Sequence, residues 1–311
     1  MSHPICIVTG ANAGIGKAAA HQLAKRGATV IMACRNAQRG EAAQAEVIRE
    51  SGNERVHRMS LDTSSMASVR AFVAAFERDF DGLDVLINNA GNFDIAQKSP
   101  VLTDEGFETV FATNYLGPWL LTQLLLPALQ AGAPGRVINV GSKGLMAYPF
   151  LGLEFDNLDG SKKFSAQRAY YHSKLALLSY TLELAKRLDG TGVVANTVRV
   201  PAVQVALDRL PDMPAWQLWI YKLKRGGSLT PEQMAETYTA LALDEEWASN
   251  SGQLVDEHQH AVSAPKHARE PEAAGELWRR SAAMVGLEHG DLEQAGREQV
   301  GREQVGRERH A

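Results

Sequence analysis

The residues able to do chemistry fall into two groups. The first is Thr9 to Gly16, Thr-Gly-Ala-Asn-Ala-Gly-Ile-Gly, set between an apolar run at 5–8 and an alanine- and leucine-rich run at 15–26. Strand, glycine turn and helix form the setting in which Gly10, Gly14 and Gly16 let the backbone turn sharply and approach a pyrophosphate. The free amides and positive dipole end of the following helix then favour the phosphate charge. The spacing is Gly-x-x-x-Gly-x-Gly, and the loop by itself also reads as an ordinary turn. The second group is Ser142, at the end of an apolar run, with Tyr170 and Lys174, which are four apart and share one helical face. On residue type alone the serine also reads as a turn former, and the pair as part of a solvated face.

These residues need a scaffold, and the chain predicts one. It has 311 residues, 45% hydrophobic and 22% charged, with net charge −4. That is an ordinary globular composition with ample material for a core and no electrostatic footprint for nucleic acid. No long uncharged apolar run predicts a membrane span, and a strand starting near Ile5 leaves no room for a signal peptide. Cys6 and Cys34 both fall in predicted strands, which suggests buried thiols in a reducing compartment, so a cytoplasmic location is expected. Predicted strands at 5–8, 29–34, 56–61, 84–88, 136–140 and 192–198, with a short one at 253–255, alternate with helices. The expectation is an α/β fold: a doubly wound parallel, Rossmann-type sheet of about seven strands with helices on both faces, one domain over 1–286. Within it, 207–229 is a lid-sized insertion carrying Trp216, Leu218, Trp219, Ile220 and Tyr221. Such side chains line ligand pockets, or pack a subunit contact or the core. At 287–311 the chain becomes a polar tail in which Gly-Arg-Glu-Gln-Val repeats, too short and polar to bury a core. His258, His260 and His267 lie near Asp256 and Glu257 but match no metal-ligand spacing, so no metal is expected.

An open parallel sheet meets its ligands at the carboxyl ends of its strands. There the sequence places Arg35 and Asn36, Asp62 and Thr63, Asn89-Ala90-Gly91, and Pro201 to Val203. An acidic residue after the second strand would bind the adenosine ribose and repel a 2′-phosphate. Here Cys34 is followed by Arg35, whose guanidinium suits a phosphate, so NADP is favoured over NAD. The other reading makes Arg35 a solvated loop residue. In the helical stretch at 103–130, Asn114, Gly117 and Pro118 are poor interior choices and mark either a kink or a functional position.

In chain order, Thr9-Gly10-x-x-x-Gly14-x-Gly16, Asp62, Asn88-Asn89-Ala90-Gly91, Asn114, Ser142 and Tyr170-x-x-x-Lys174 resemble the short-chain dehydrogenase/reductase family over residues 5–203. Ala33-Cys34-Arg35-Asn36, His172-Ser173-Lys174-Leu175-Ala176 and Glu183-Leu184-Ala185-Lys186-Arg187-Leu188 look more narrowly like its retinol-dehydrogenase-like branch. The resemblance implies an NADP-dependent oxidoreductase interconverting a carbonyl and an alcohol on a lipophilic small molecule. It implies Tyr170 as general acid or base and Lys174 as the charge that lowers the phenol's pKa and holds the nicotinamide ribose. Ser142 would stabilise the substrate oxygen, and Asn114 would hold a water linking Lys174 to solvent. The implied cofactor contacts are Gly10, Asn12, Ala13, Gly14, Ile15, Gly16, Arg35, Asn36, Asp62, Thr63, Asn89, Ala90, Gly91, Tyr170, Lys174, Pro201 and Val203. By analogy, the helices holding Asn114 and Tyr170 would form a homodimer or homotetramer. Two departures stand out: Ala202 replaces a glycine after the sixth strand, and Val205-Ala206 replaces a threonine expected at the carboxamide. A competing expectation is a non-catalytic dinucleotide-binding sensor or scaffold.

Overall fold

A computed structural model of the chain describes residues 3–94, 96–132, 134–204 and 228–287. The strands are β1 (Ile5–Thr9), β2 (Thr29–Cys34), β3 (Val56–Ser60), β4 (Val85–Asn88), β5 (Gly135–Ser142), β6 (Val193–Val200), β7 (Leu254–Val255) and β8 (Ala261–Val262). They form one sheet in the order β3-β2-β1-β4-β5-β6-β7-β8. Every pairing through β7 is parallel, and β8 closes the edge antiparallel to β7. The strand count exceeds the expected seven by β8. Its two paired residues lie just past the histidine-rich turn, and two residues carry too little alternation to read as a strand.

The helices are α1 (Gly14–Lys25), α2 (Ala37–Ser51), α3 (Met66–Asp79), α4 (Thr109–Phe111), α5 (Gly117–Ala131), α6 (Ala166–Arg187), α7 (Pro231–Leu243) and α8 (Pro271–Val285). Strand side chains alternate between the two faces. In β1, Cys6 and Val8 join the core under α1, α2 and α7, while Ile7 joins the core under α3, α5, α6 and α8. Both faces are therefore covered, as apolar strands of a parallel sheet require. Both cysteines are free and buried, and burial raises the Cys34 thiol to about 11. Among the described residues no helix is long and apolar enough to cross a membrane.

The stretch expected to hold one long helix is broken. A π-helical turn, Ala112–Leu116, separates α4 from α5 and carries Asn114. Such single-turn insertions absorb a residue that the regular ladder cannot place. Gly117 follows because a Cβ there would collide with the Thr63 carbonyl. The helix α8 had no counterpart in the sequence reading. Its Leu277, Trp278, Ala282 and Val285 lie in the core with Trp119, Tyr180 and Leu184. The Trp278 ring sits 5.6 Å from Trp119 and 5.7 Å from Tyr180, and Arg187 stacks over it at 4.2 Å. Tyr115 and Ser281 share a buried hydrogen bond of 2.6 Å. Thus α8 covers apolar surface of the helices through which oligomerisation was expected. The proposed insertion at 207–229 falls almost entirely outside the described residues, as do Val205, Ala206 and the tail beyond 287.

Candidate active site

The strand order reverses between β1 and β4, and the carboxyl ends of β1 to β4 open there into a cleft of about 650 Å³. Gly10 and Gly14 take φ of +67° and +57°, a region that side chains enter only at a cost. At Gly16 a Cβ would strike the Asn89 amide and come within 2.7 Å of the Gly10 carbonyl, so helix and loop can meet only around a bare backbone. The loop after β4 is tied to β1: the Asn89 amide donates to the Thr9 carbonyl at 2.8 Å, and the Ala90 N–H to the Thr9 hydroxyl at 2.9 Å. The result is a cradle sized for a phosphate-bearing ligand at the start of α1.

Of the expected cofactor residues, Gly10, Asn12, Ala13, Gly14, Ile15, Gly16, Arg35, Asn36, Asp62, Thr63, Asn89, Ala90, Gly91 and Val203 line this cleft. Pro201 is half-buried beyond the end of β6, and Ala202 is exposed. The sequence reading missed Lys17, Arg39 and Asn92, which line the cleft too. Arg39 was legible in principle, since it lies four residues after Arg35 on the first turn of α2, where the Asn36 side chain caps the Arg39 N–H at 2.8 Å. Lys17 pairs with Glu46 at 2.6 Å and Arg35 with Asp62 at 3.7 Å, whereas Arg39 has no ion pair among the described residues.

The second cluster lies where β5 meets α6. Ser165 caps α6, which begins four residues before the expected start and presents Tyr170, Ser173 and Lys174 towards the sheet end. Ser142 is the last residue of β5; its hydroxyl accepts the Gly144 N–H and lies near enough to Tyr170 to favour the phenolate. Lys174 is 4% exposed; its Nζ donates to the Val140 carbonyl at 2.7 Å and lies 5.7 Å from the Tyr170 ring centre. Burial lowers the Lys174 ammonium to about 8. Burial also raises Tyr170 above the usual phenol value, the nearby Ser142 hydroxyl opposing it. The expectation was a phenol tuned downward by Lys174; instead burial is the larger influence and raises it, and burial also disfavours the lysine's own charge.

Asn114 is fully buried and acts first as a clamp. Its amide donates to the Asn92 carbonyl and to the Ser173 hydroxyl, both at 3.0 Å, and its oxygen accepts the Asn92 N–H at 2.6 Å. One lone pair of that oxygen remains for a water. The next residue, Phe93, lies with its ring 4.4 Å from the Tyr170 ring. His172 is held neutral: burial lowers it to about 4, and its Nε2 accepts the Glu154 N–H at 3.0 Å. Among the described residues no cluster of His, Cys, Asp or Glu could hold a metal ion.

Known proteins resemble this chain in sequence and in fold. The family model for short chain dehydrogenase matches residues 4–153. Human (Homo sapiens) retinol dehydrogenase 13 is 37% identical over 294 residues, covering 91% of this chain and 84% of its own. Human retinol dehydrogenase 11 is 40% identical over 284 residues, covering 91% and 86%. The crystal structure of an uncharacterized protein from Mycobacterium Paratuberculosis superposes with a TM-score of 0.70 at 30% identity, over 92% of this chain and 95% of that one.

Proposed function

The chain belongs to the short-chain dehydrogenase/reductase family, and on that premise we propose that it is an NADP-dependent oxidoreductase interconverting a carbonyl and an alcohol on a lipophilic small molecule, with Tyr170 as acid and base. The observation that carries the reading is Ser142, Tyr170 and the buried Lys174 brought together where β5 meets α6, beside a cleft with a glycine cradle. When bound, the nicotinamide supplies the hydride. The glycine loop at 10–16 would hold the pyrophosphate, Asp62 and Thr63 the adenine end, and Asn89, Ala90 and Gly91 the middle of the dinucleotide. In reduction the Tyr170 hydroxyl gives its proton to the substrate oxygen, and the Ser142 hydroxyl donates a hydrogen bond to the charge developing there. Lys174, with a pKa of about 8, can return a proton to the phenolate near neutral pH. The convergence of these three side chains disfavours the sensor or scaffold alternative.

Arg35 and Arg39 support NADP over NAD, because two guanidinium groups flank the adenosine end and Arg39 pairs with no carboxylate among the described residues. Exposed Phe93 and Met146, from the loops that follow β4 and β5, support a lipophilic substrate, as do relatives named retinol dehydrogenases. The test is the initial rate of NADPH and of NADH consumption against a panel of aldehydes and ketones, including retinoids. NADPH is expected to be preferred, and Arg39→Ala to lower its kcat/KM about tenfold while sparing NADH, as loss of one charge-assisted hydrogen bond would. A wild-type preference for NADH overturns the cofactor assignment.

A further inference from the structure

Tyr170 is flanked by rings on two sides. Tyr171 meets it edge-on at 5.2 Å and itself packs against Tyr148 at 4.4 Å, the two rings tilted by 32°. Tyr171 also lies over Gly144, where a Cβ would strike its ring. That side is a packed wall. Phe93 forms the other side, with its ring tilted 31° to Tyr170, and 46% of it is exposed. An aromatic ring left half open beside a titratable hydroxyl lacks a partner for its free face, and covering that face with apolar atoms is favourable.

The position of Phe93 is built rather than incidental. Asn92, its neighbour, is gripped through both backbone groups by the buried Asn114. Two residues further back, the Ala90 N–H is bound to Thr9. The loop therefore leaves β4 on a fixed course and delivers the ring to Tyr170. A substrate whose oxygen reaches the Tyr170 hydroxyl brings its substituents within reach of that ring. With no hydrogen-bonding group, phenylalanine can discriminate only by the apolar area and flatness of what lies against it.

We propose that Phe93 is the specificity-determining residue of the acceptor site: its open face forms the wall for the apolar substituent on the carbonyl carbon, selecting aromatic and extended chains over short ones. This rests on the carbonyl-reducing reading above. A single apolar wall discriminates modestly, on the order of tenfold to a hundredfold.

The test compares wild type, Phe93→Leu and Phe93→Ala in NADPH-dependent reduction of propanal, decanal and cinnamaldehyde. The kcat/KM ratios of decanal and of cinnamaldehyde to propanal are expected to fall at least about tenfold in Phe93→Ala, mainly through KM. Phe93→Leu should keep the decanal ratio and lose the cinnamaldehyde ratio. NADPH affinity, read by fluorescence titration, should stay within about twofold of wild type in both variants, a check that the loop has kept its course. Equal falls for all three aldehydes, or unchanged ratios, overturn the proposal. If wild type reduces none of them, the functional reading is at fault, and equilibrium binding of cinnamaldehyde to the NADP-loaded protein decides the wall separately. Weaker binding to Phe93→Ala than to wild type upholds it, and equal binding, or none to either, overturns it.

Discussion

The two ends of the cleft are made of different material. At the end lined by Arg35 and Arg39 the groups are exposed and charged: the Arg35 side chain is 73% exposed and pairs with Asp62 at 3.7 Å. Ion pairs of that kind contribute little to stability and are screened by salt. At the reactive end Lys174 and Asn114 are buried and Tyr170 is half-buried; Asn114 donates to the Ser173 hydroxyl, Lys174 donates to the Val140 carbonyl, and the Lys174 Nζ lies 5.7 Å from the Tyr170 ring centre. The first end can be altered with little harm to the fold and should change which dinucleotide is held. The second couples chemistry to stability, because groups taken out of water must be held where they are.

Tyr170→Phe tests the reactive end most sharply. Removing one hydroxyl should lower turnover about 10³-fold while NADPH affinity is unchanged. Unchanged turnover would remove the asymmetry between the ends. The next largest effect is a pH dependence set by Lys174. Its folded value is about 8 against an ordinary 10.5. Below about pH 8 folded and unfolded chains both carry the proton, and burying the charge opposes folding in full. As pH rises from there to 10.5 the folded chain releases the proton first, so stability climbs, by about 3 kcal/mol in all. Chemical denaturation of wild type and Lys174→Met across that window isolates this group from the buried thiols, which titrate in both: wild type should gain stability relative to the variant as pH rises, and parallel curves would refute the buried-charge account. Smallest is Gly117→Ala, at the joint between the ends, where the added methyl meets the Thr63 carbonyl. A loss of roughly 2 kcal/mol is expected, measured as a lowered denaturation midpoint with weaker NADPH binding.

The same contrast governs what could be read from sequence. Glycine spacing and strand ends revealed the cradle, because backbone conformation restricts residue type locally. The Tyr170–Lys174 pair was legible as one helical face, and Asn114 as a residue ill suited to a helix, which the π-helical turn explains. The direction of the Tyr170 shift was misjudged because desolvation depends on what packs around the ring, which spacing does not encode. Phe93 and Arg39 were missed for a related reason. Each matters through a neighbour distant in sequence, Tyr170 in one case and the ends of β1 and β3 in the other.

The covering of α5 and α6 by α8 bears on how the chain comes to be made. Among the described elements α8 is the last in sequence, so a chain emerging amino end first presents Trp119, Tyr180 and Leu184 to water until residues beyond 271 have followed. During synthesis that surface is a hazard for self-association, and the protein's yield should depend on how quickly α8 is delivered to close it.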